Sequence, residues 1–310
     1  MGEGQSRPFT PEEIEAVRQK ASVSVGRIVP VVKACGELSV ARSSYYAKES
    51  PSRPPAKRGP RTPWSDTQLV EHIQTALRES LFVGEGHRKV WAKLRASGIR
   101  TSRQRVLRLM RESNLLAPSR PGSVRGPRNH DGTILSKRPD EMWGTDATSV
   151  FTLDEGHATV FIAVDHCTAE GVGIHAAKVG DRFEALEPIR QGVKRCFGKY
   201  HPLIASGLKL RHDHGSQYMS DAFQNEIDFL GIESSPAFVR SPEGNGCAER
   251  FIRTLKEQLL WVRSFRTIEE LRLALLEWME VYNEHWLIER HAYRSPAQLR
   301  RDLIAIQAAA

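Results

Sequence analysis

The stretch LRHDHGSQYMSDAFQNEIDFLGIESSPAFVRSPEGNGCAERFIRTLKE, residues 210–257, decides the fold that we expect for this chain. Asp213 follows an apolar run, HPLIASGLKL, that is typical of a β-strand, and Glu249 lies early in a run with the apolar spacing of a helix. A third acid, Asp146, lies upstream in WGTDATSVF. Two strands and a helix would deliver three carboxylates, the hard oxygen ligands that Mg²⁺ takes at a two-metal phosphoryl-transfer site.

The elements around these acids predict an α/β fold with a mixed sheet. Three β-rich runs, WGTDATSVF, HATVFIAVD and GVGIHAAKV, follow one another, with a turn at 154–156 between the first two. We then expect a helix at 182–197, a strand ending near Asp213, a helix at 220–230, a short strand around Ile232 and, after the loop SPEGNG, the helix of Glu249. Three consecutive strands indicate an antiparallel start, and the whole order resembles a ribonuclease-H-like core.

The helix of Glu249 is predicted to bury one face and to present another to a ligand. The 3.6-residue period places its apolar residues on one stripe, which consists of Phe251, Ile252, Leu255, Leu259 and Val262. Glu249, Arg253 and Lys256 share a different face. That face would carry one carboxylate at the sheet and two cations along the path of a DNA backbone.

Composition limits the classes of protein to which the chain can belong. Its 310 residues favour two or three domains. The net charge of +8 indicates a polyanionic partner, most plausibly nucleic acid, although a basic surface can also be merely solvated. With no apolar run of membrane-spanning length and no signal peptide, we expect a cytoplasmic protein. The four cysteines lack paired spacing, which argues against a zinc site and a disulfide framework.

Two helical modules precede the acids. A capping box formed by Thr10 and Glu13 opens a helix to about Ser22, and a second apolar run extends from Val25 to Cys35 before SVARSSYYAKE. Short helices joined by a glycine-containing turn are typical of a helix-turn-helix. The alternative is a small helical bundle with no role in DNA binding.

The second module, FVGEGHRKVWAKLRASGIRTSRQRVLRLMRESNLLAP, is also a helix-turn-helix candidate. A capping box of Ser65 and Gln68 opens the helix before it, and Thr101 with Gln104 is expected to cap its last helix. Apolar residues expected to face inward are Val90, Trp91, Leu94, Val106, Leu107 and Met110. Residues expected to face out and to contact DNA, with Glu112 as their only counter-charge, are Arg103, Arg105, Arg108 and Arg111. The alternative is a solvated helix face.

Two segments rich in proline and basic residues divide the chain. The predicted organisation is an N-terminal helix-turn-helix-like segment at 1–50, a linker at 51–64, a second helix-turn-helix module at 65–117, a basic linker at 118–139, a catalytic core at 140–265 and a C-terminal helical extension at 266–310.

Other residues could compete with the three acids. Asp165 ends an apolar strand and is expected to be a turn residue, Glu243 lies in a loop that would hold a metal poorly, and Asp221 fits a helix cap. His212 and His214 flank Asp213 without a further nearby Cys or His, so a zinc site is not expected, and His214 is a candidate contact to DNA or to the attacking water. No GxSxG motif supports acyl transfer.

The motifs WGTD, RHDHGSQYMS and SPEGNGCAERFIRTLKE, with 35 residues between the last two acids, resemble the DDE core of retroviral-integrase-like transposases. The nearest match is the OrfB-type transposase of the insertion-sequence-three family. The stretch HRKVWAKLRASGIRTSRQRVLRLMRESNLL resembles the helix-turn-helix module of that family, and WMEVYNEHWLIERHAYRSPAQLR is similar to its closing segment, with the arginine and histidine spacing partly kept. The resemblance covers roughly residues 80–300.

The resemblance implies roles for individual residues. Asp146, Asp213 and Glu249 would be the catalytic, metal-binding triad, and Lys256 matches a basic position implicated in contact with terminal DNA. The motif after the second aspartate is matched by Gly215, Gln217 and Tyr218. His214 departs from the family, which puts only local DNA contacts in doubt.

The implied activity is that of a DNA transposase that cleaves and joins strands by transesterification. It implies two Mg²⁺ ions, for which Mn²⁺ can substitute, and double-stranded DNA partners, namely terminal inverted repeats and target DNA. It further implies a homo-oligomer on paired ends, no membrane partner, and a bacterial, nucleoid-associated location. The alternatives are a non-catalytic DNA-binding regulator derived from such a core and a ribonuclease-H-type nuclease.

Overall fold

The computed structural model describes residues 9–46, 63–118, 136–237 and 245–309. The chain divides into two compact units, Met1–Arg61 and Thr62–Ala310. The predicted linkers at 51–64 and 118–139 lie mostly outside the described residues, and Glu243 lies wholly outside them. Within those ranges no helix combines the length and apolarity needed to cross a bilayer.

The first unit contains three helices: α1 (Pro11–Val25), α2 (Val31–Glu37) and α3 (Arg42–Tyr45). The capping box of Thr10 and Glu13 is present at the start of α1 as predicted. The helix runs past Ser22 and ends where Gly26 adopts a φ of 67°. The second helix begins only at Val31, because Pro30 precedes it in extended conformation, so the apolar run from Val25 is not one helix.

The second unit opens with three helices packed on one another: α4 (Asp66–Arg78), α5 (His87–Ala96) and α6 (Arg103–Glu112). The capping box of Ser65 and Gln68 is confirmed. The common core of these helices contains Leu69, Ile73, Val90, Leu94, Ile99, Val106, Leu109 and Met110. We refer to residues 63–118 as the helical module.

Two details of α6 differ from the prediction. Its N-cap is Ser102, whose Oγ accepts a hydrogen bond from the backbone N–H of Arg105 at 3.1 Å, and not Thr101. The cap therefore lies one residue further along than expected. Leu109 is buried and Leu107 only half-buried, because one helical residue corresponds to a rotation of about 100° and positions 106, 109 and 110 share the inner face.

A five-stranded mixed sheet forms the centre of the second unit. Its strands are β1 (Met142–Thr152), β2 (Gly156–Asp165), β3 (Gly171–Ala177), β4 (Lys209–His212) and β5 (Glu233–Pro236), in the order β3-β2-β1-β4-β5. The first three pair antiparallel through the turn that includes Gly156, and β4 and β5 add in parallel to β1. The predicted α/β class, with an antiparallel start to a mixed sheet behind a helical region, is confirmed.

Helices cover both faces of this sheet. The remaining helices are α7 (Arg182–Phe197), α8 (Asp221–Phe229), α9 (Gly246–Leu255), α10 (Ile268–His285) and α11 (Pro296–Ala308). On β2, Val160, Ile162 and Val164 pack with α9 and α10, whereas Phe161 and Ala163 pack with α7 and α8. This alternation follows from the two-residue period of a strand, and it makes the sheet the middle layer of three.

The predicted apolar stripe of the Glu249 helix is confirmed except at its end. Phe251, Ile252, Leu255 and Leu259 are buried, but Val262 is 58% exposed. Residues Lys256–Leu260 form a π-helical turn, which widens the repeat and rotates the following residues away from the core. The prediction for Val262 was therefore wrong because it assumed a uniform α-helical period.

Polar contacts attach the helical module to the rest of the second unit. The backbone N–H of Val83 donates to Gln258 Oε1, and Gln258 Nε2 donates back to the Val83 carbonyl, each at 2.9 Å. Glu289 pairs with Arg88 at 2.6 Å and with Arg103 at 3.4 Å. These contacts hold the module beside the helix that carries Glu249.

Candidate active site

Strand pairing brings Asp146 and Asp213 to the same place on the sheet. The parallel register aligns Gly144 of β1 with Arg211 of β4. Two residues beyond that pair lie Asp146, in β1, and Asp213, immediately after the end of β4. Neighbouring parallel strands lie about 4.8 Å apart, so both carboxylates belong to one region of the sheet.

Glu249 reaches this region from the first turn of α9, which packs against β1 and β2. The buried side chain of Asn245, immediately before α9, donates its Nδ2–H to the carbonyl of Thr145 at 2.9 Å. This hydrogen bond ties the start of the helix to the residue that precedes Asp146. Asn245 was not singled out from the sequence, and its only signal was its place in the loop SPEGNG.

Gly144 makes this close approach possible. A Cβ atom at Gly144 would lie 2.6 Å from Asn245 Oδ1 and 2.7 Å from His166 Nε2. Real Cβ atoms do not approach neighbours so closely, so a side chain at this position would displace both buried groups. The glycine in WGTD is thus required by packing beside the acids.

The charges of the other two acids act on Asp146. Burial raises the pKa of Asp146 to about 6, and the charges of Asp213 and Glu249 act in the same direction. A hydrogen bond from the Ala147 N–H and the charge of Lys256 oppose the rise. Burial also raises the pKa of Glu249. The charges of Asp213 and Glu249 thus disfavour the ionised form of Asp146, which is the expected effect of nearby like charges.

The donor set suits a hard divalent cation such as Mg²⁺, because carboxylate oxygens are its preferred protein ligands and its charge would relieve their repulsion. Asp146 Oδ1 accepts from the Ala147 N–H and Asp213 Oδ1 from the Gly215 N–H, each at 2.8 Å, so the described hydrogen bonds leave the second oxygen of each aspartate open. In the part of the chain that the structure describes, no three acid, histidine or cysteine side chains form a coordinating cluster.

The histidines beside Asp213 have structural hydrogen bonds. His212 is fully buried, with Nδ1 at 2.6 Å from the carbonyl oxygen of Asp213 and Nε2 at 2.9 Å from Ser234 Oγ. Burial lowers the pKa of His212, so its ring is neutral. His214 is exposed, and its Nε2 lies 2.7 Å from the carbonyl oxygen of Ala237. Both rings fix the chain that follows β4.

Residues 215–218 also hold the chain that follows β4 in place. Gly215 has no room for a Cβ, which would lie 2.6 Å from the side chain of Gln217 and 2.8 Å from Asp213 Oδ1. Tyr218 is buried against the rings of His212 and Phe223, and burial raises the pKa of its hydroxyl. Tyr218 is thus part of the core, whereas Gln217 is half-buried beside the acid.

The two cations predicted on the Glu249 helix lie on either side of the α9 boundary. Lys256 is half-buried at the start of the π turn, and its charge acts on Asp146. Arg253 is exposed and pairs with Glu257 at 3.0 Å. Lys256 is therefore associated with the acids, and Arg253 lies on the outer side of the same helix.

The arginines of α6 have more counter-charges than the sequence indicated. Arg105 and Arg108 both pair with Asp66 at 2.6 Å, and Arg108 also pairs with Glu112. The prediction that Glu112 is the only counter-charge of these arginines was therefore wrong. Asp66 contributes because α4 packs against α6, a contact between residues about 40 positions apart.

The other two arginines of α6 differ from each other. Arg103 pairs with Glu289, as described above. Arg111 is exposed and has no ion pair with any residue in the described ranges. Their contact with DNA remains a prediction, and Arg111 is the most available of the four.

Asp165 is confirmed as a turn residue. It is fully buried at the end of β2, and its Oδ1 accepts from the N–H and the hydroxyl of Thr168, each at 2.7 Å. Its Oδ2 accepts from the N–H of Asp140 at 2.9 Å. These bonds close the connection to β3 and occupy both oxygens.

Two family models match parts of the chain. Residues 65–122 match the family model described as an HTH-like domain, and residues 230–300 match the one described as an integrase core domain. The catalytic core domain of BIV integrase aligns with a TM-score of 0.39 at 18% identity, covering 55% of this chain and 99% of that one. In sequence the chain therefore resembles proteins in which an HTH-like domain precedes an integrase core domain.

Two insertion-sequence transposases are similar to this chain over most of its length. The chain is 28% identical over 278 residues to the transposase for insertion sequence element IS629 of Shigella sonnei, covering 86% of this chain and 90% of that protein. It is 28% identical over 300 residues to transposase InsD for insertion element IS2-9 of Escherichia coli strain K12, covering 94% and 95%. The chain is thus similar to insertion-sequence transposases over most of its length.

Proposed function

We propose that this transposase cleaves and joins DNA strands at the ends of its element through Asp146, Asp213 and Glu249. The observation that carries the proposal is the effect of the Asp213 and Glu249 charges on Asp146, which raises its pKa together with burial. A carboxylate whose pKa is raised by burial and by neighbouring acids is typical of a functional site, and carboxylates are the ligands of metal-dependent phosphoryl transfer.

The three acids would hold two Mg²⁺ ions, or Mn²⁺ in their place. Bound ions of this kind supply activation of the attacking oxygen and stabilisation of the leaving oxygen in an in-line displacement. The protein would contribute placement: Asn245 orients the helix of Glu249, and the Gly215 N–H orients the carboxylate of Asp213. Burial favours the protonated form of Asp146. The positive charge of a bound cation would favour the ionised form instead.

Double-stranded DNA is the proposed partner. Lys256, beside the acids, is suited to a phosphate of the strand end, and Arg111 extends from the helical module as an unpaired cation among the described residues. The helix-turn-helix-like module would recognise the terminal inverted repeats and the core would act on them and on target DNA. The protein would assemble as a homo-oligomer that pairs two ends.

The test of this proposal is an Asp213→Asn variant of the full chain. We expect binding to a duplex of the element's end to be retained and strand cleavage with Mg²⁺ to fall below detection, because one metal ligand is lost while the shape is preserved. Gel-shift and cleavage assays on the same substrate measure the two properties.

The matched control is Asp221→Asn, an exposed aspartate in the first turn of α8. It should cleave like the wild type. Full cleavage by Asp213→Asn would refute the catalytic assignment, and binding without cleavage by the wild type would favour a DNA-binding regulator instead.

A further inference from the structure

A large cavity lies beside the helix of Glu249 and is separate from the three acids. It measures about 800 Å³, within the range of about 300–1,000 Å³ of ligand-binding pockets. Helix α5 of the helical module, α9 and the segment after α10 enclose it. The lining residues that matter here are Lys89, Arg250, Phe251, Tyr282, Trp286 and Arg290.

The cavity is basic. Three cationic side chains line it, and the single acid among its lining residues, Glu289, already pairs with Arg88 and Arg103. Arg250 is exposed, and among the described residues its guanidinium has no ion pair. A surplus of positive charge in a concave site favours an anionic ligand.

Lys89 gives the strongest indication of a missing anion. Its ammonium nitrogen is buried against the ring of Trp286, 2.7 Å from the centroid, and has no hydrogen-bond partner in the described structure. Burial lowers the pKa of Lys89 to about 7. A buried ammonium without an acceptor is destabilising, and a phosphate oxygen within reach would supply the missing partner.

Aromatic side chains also line the cavity. Phe251 and Tyr282 are buried with only 2% and 3% of their surfaces exposed, and their rings lie 4.9 Å apart. Trp286 stacks on Tyr282 at 5.9 Å and remains half-buried. Cations and aromatic side chains in one cavity match a nucleotide, which has a phosphate at one end and a flat base at the other.

The cavity continues toward the acids along α9. A second cavity, of about 480 Å³, is lined by Glu249, Arg253 and Glu257, and it shares Gly246, Arg250 and Thr254 with the first. The shared residues lie at successive turns of one helix. A strand whose reacting phosphate lies at Glu249 could therefore extend along α9 into the basic cavity.

We propose that this cavity binds one nucleotide of the DNA strand held at the acids, with its phosphate at Arg250 and Lys89 and its base beside Trp286, which is less buried than Phe251. The inference rests on the proposed DNA-end cleavage, because it extends the path of that strand. The binding would place a nucleotide between the helical module and the core, so that the occupied cavity links both parts.

The first test measures affinity without metal ions. Full-length protein is titrated into a dye-labelled end duplex with a single-stranded extension, and binding is followed by fluorescence anisotropy. We expect Arg250→Ala and Lys89→Met each to weaken binding of the extended duplex about tenfold, through loss of a charge-assisted contact. The charge-matched control is Arg182→Ala, at the exposed start of α7, which should bind as the wild type does.

The second test locates the nucleotide directly. 5-Bromodeoxyuridine is placed at successive positions of the extension and irradiated, and the cross-linked peptide is identified by mass spectrometry. We expect one position to cross-link to the peptide containing Trp286 or Phe251 in the wild type, and less in Arg250→Ala. Retention of the cross-link in Arg250→Lys would confirm that charge at this position is what matters.

Two results would overturn the inference. One is wild-type affinity in folded Arg250→Ala and Lys89→Met, with cross-links only elsewhere. The other is binding of free deoxynucleoside monophosphate that depends on Arg250 while DNA binding does not, since the cavity would then serve a free nucleotide. The affinity and cross-linking measurements are both made without metal ions. A failure of Asp213→Asn to stop cleavage would therefore contradict the proposed catalysis without altering the result for the cavity.

Discussion

At the scale of single residues, the acids depend on neighbours that carry no catalytic chemistry. Gly144 leaves the space that Asn245 and His166 occupy, and Asn245 fastens the start of α9 to β1. One side-chain hydrogen bond and one missing Cβ therefore help to set the position of Glu249 relative to Asp146, together with the packing of α9 on the sheet. Such supporting contacts determine whether a carboxylate site is held closely enough for catalysis.

Asn245→Ala should reduce cleavage more than it reduces DNA binding. The substitution leaves the buried carbonyl of Thr145 without its donor, which we expect to cost about 1–3 kcal/mol of stability. It also frees the first turn of α9, so cleavage should fall by at least about tenfold through misplacement of Glu249. Cleavage rates and affinities for one end duplex measure the difference. Asn225→Ala, at an exposed site on α8, is the control, and equal losses of binding and cleavage would contradict this role.

Asp146 should make stability depend on pH. Its folded-state pKa of about 6 lies above the ordinary aspartate value of 3.8, so the folded protein binds the proton more tightly than the unfolded chain. Stability from this group is therefore present at low pH and lost as the pH rises from about 4 to 6. Without metal, Asp146→Asn should be more stable than the wild type at pH 8, by about 1–2 kcal/mol, and little different at pH 4.

Urea unfolding of both proteins at the two pH values, in the presence of a chelator, measures this effect. Asp228→Asn, an exposed aspartate at the end of α8, should show no such dependence. A wild type as stable as Asp146→Asn at pH 8 would show that the carboxyl is not destabilised by its surroundings.

At the scale of elements, ion pairs divide the arginines of α6 into two kinds. Arg105 and Arg108 bind Asp66 and so fasten α6 to α4, whereas Arg111 is exposed without an ion pair among the described residues. An arginine that is already paired must give up its partner before it can bind phosphate. Helix α6 therefore has a structural side toward α4 and an available cation near its end.

Arg111→Ala should weaken DNA binding and lower the slope of log affinity against log salt by about one, as expected for one lost phosphate contact. Arg105→Ala should leave that slope nearly unchanged and instead lower the melting temperature of the protein. Affinities at several salt concentrations and thermal unfolding separate the two. Equal salt slopes for both variants would show that the pair with Asp66 does not restrain Arg105.

At the scale of the whole second unit, the helical module depends on a few contacts with the core. Gln258, in the π turn that follows α9, makes two hydrogen bonds to the backbone of Val83. Glu289, in the segment after α10, pairs with two arginines of the module. The π turn after α9 and the segment after α10 thus hold the helical module against the rest of the second unit.

Gln258→Ala should loosen the module without unfolding the core. Loss of both hydrogen bonds is expected to lower the free energy of local opening around Val83 by about 1 kcal/mol or more. Hydrogen–deuterium exchange should increase at residues 80–90 and stay unchanged in β1–β3. Gln307→Ala, on the exposed end of α11, is the control, and unchanged exchange at 80–90 would contradict the role of these bonds.

The sequence by itself determined the order of the elements, the helix caps at Thr10 and Ser65, and the three acids as candidates. These features depend on local periodicity and on cap chemistry within a few residues, which the chain carries wherever it folds. The place of Asp213 after its strand and of Glu249 in its helix followed from the same patterns. The predicted domain boundaries and DNA contacts remain predictions.

Only the tertiary structure decided the contacts between distant segments. The pairing of Asp66 with α6, the hydrogen bond of Asn245 to β1 and the basic cavity beside α9 join residues tens to hundreds of positions apart. The π turn that exposes Val262 is likewise set by packing rather than by local propensity. Local patterns cannot encode which surfaces meet, because that depends on the free energy of the whole packed molecule.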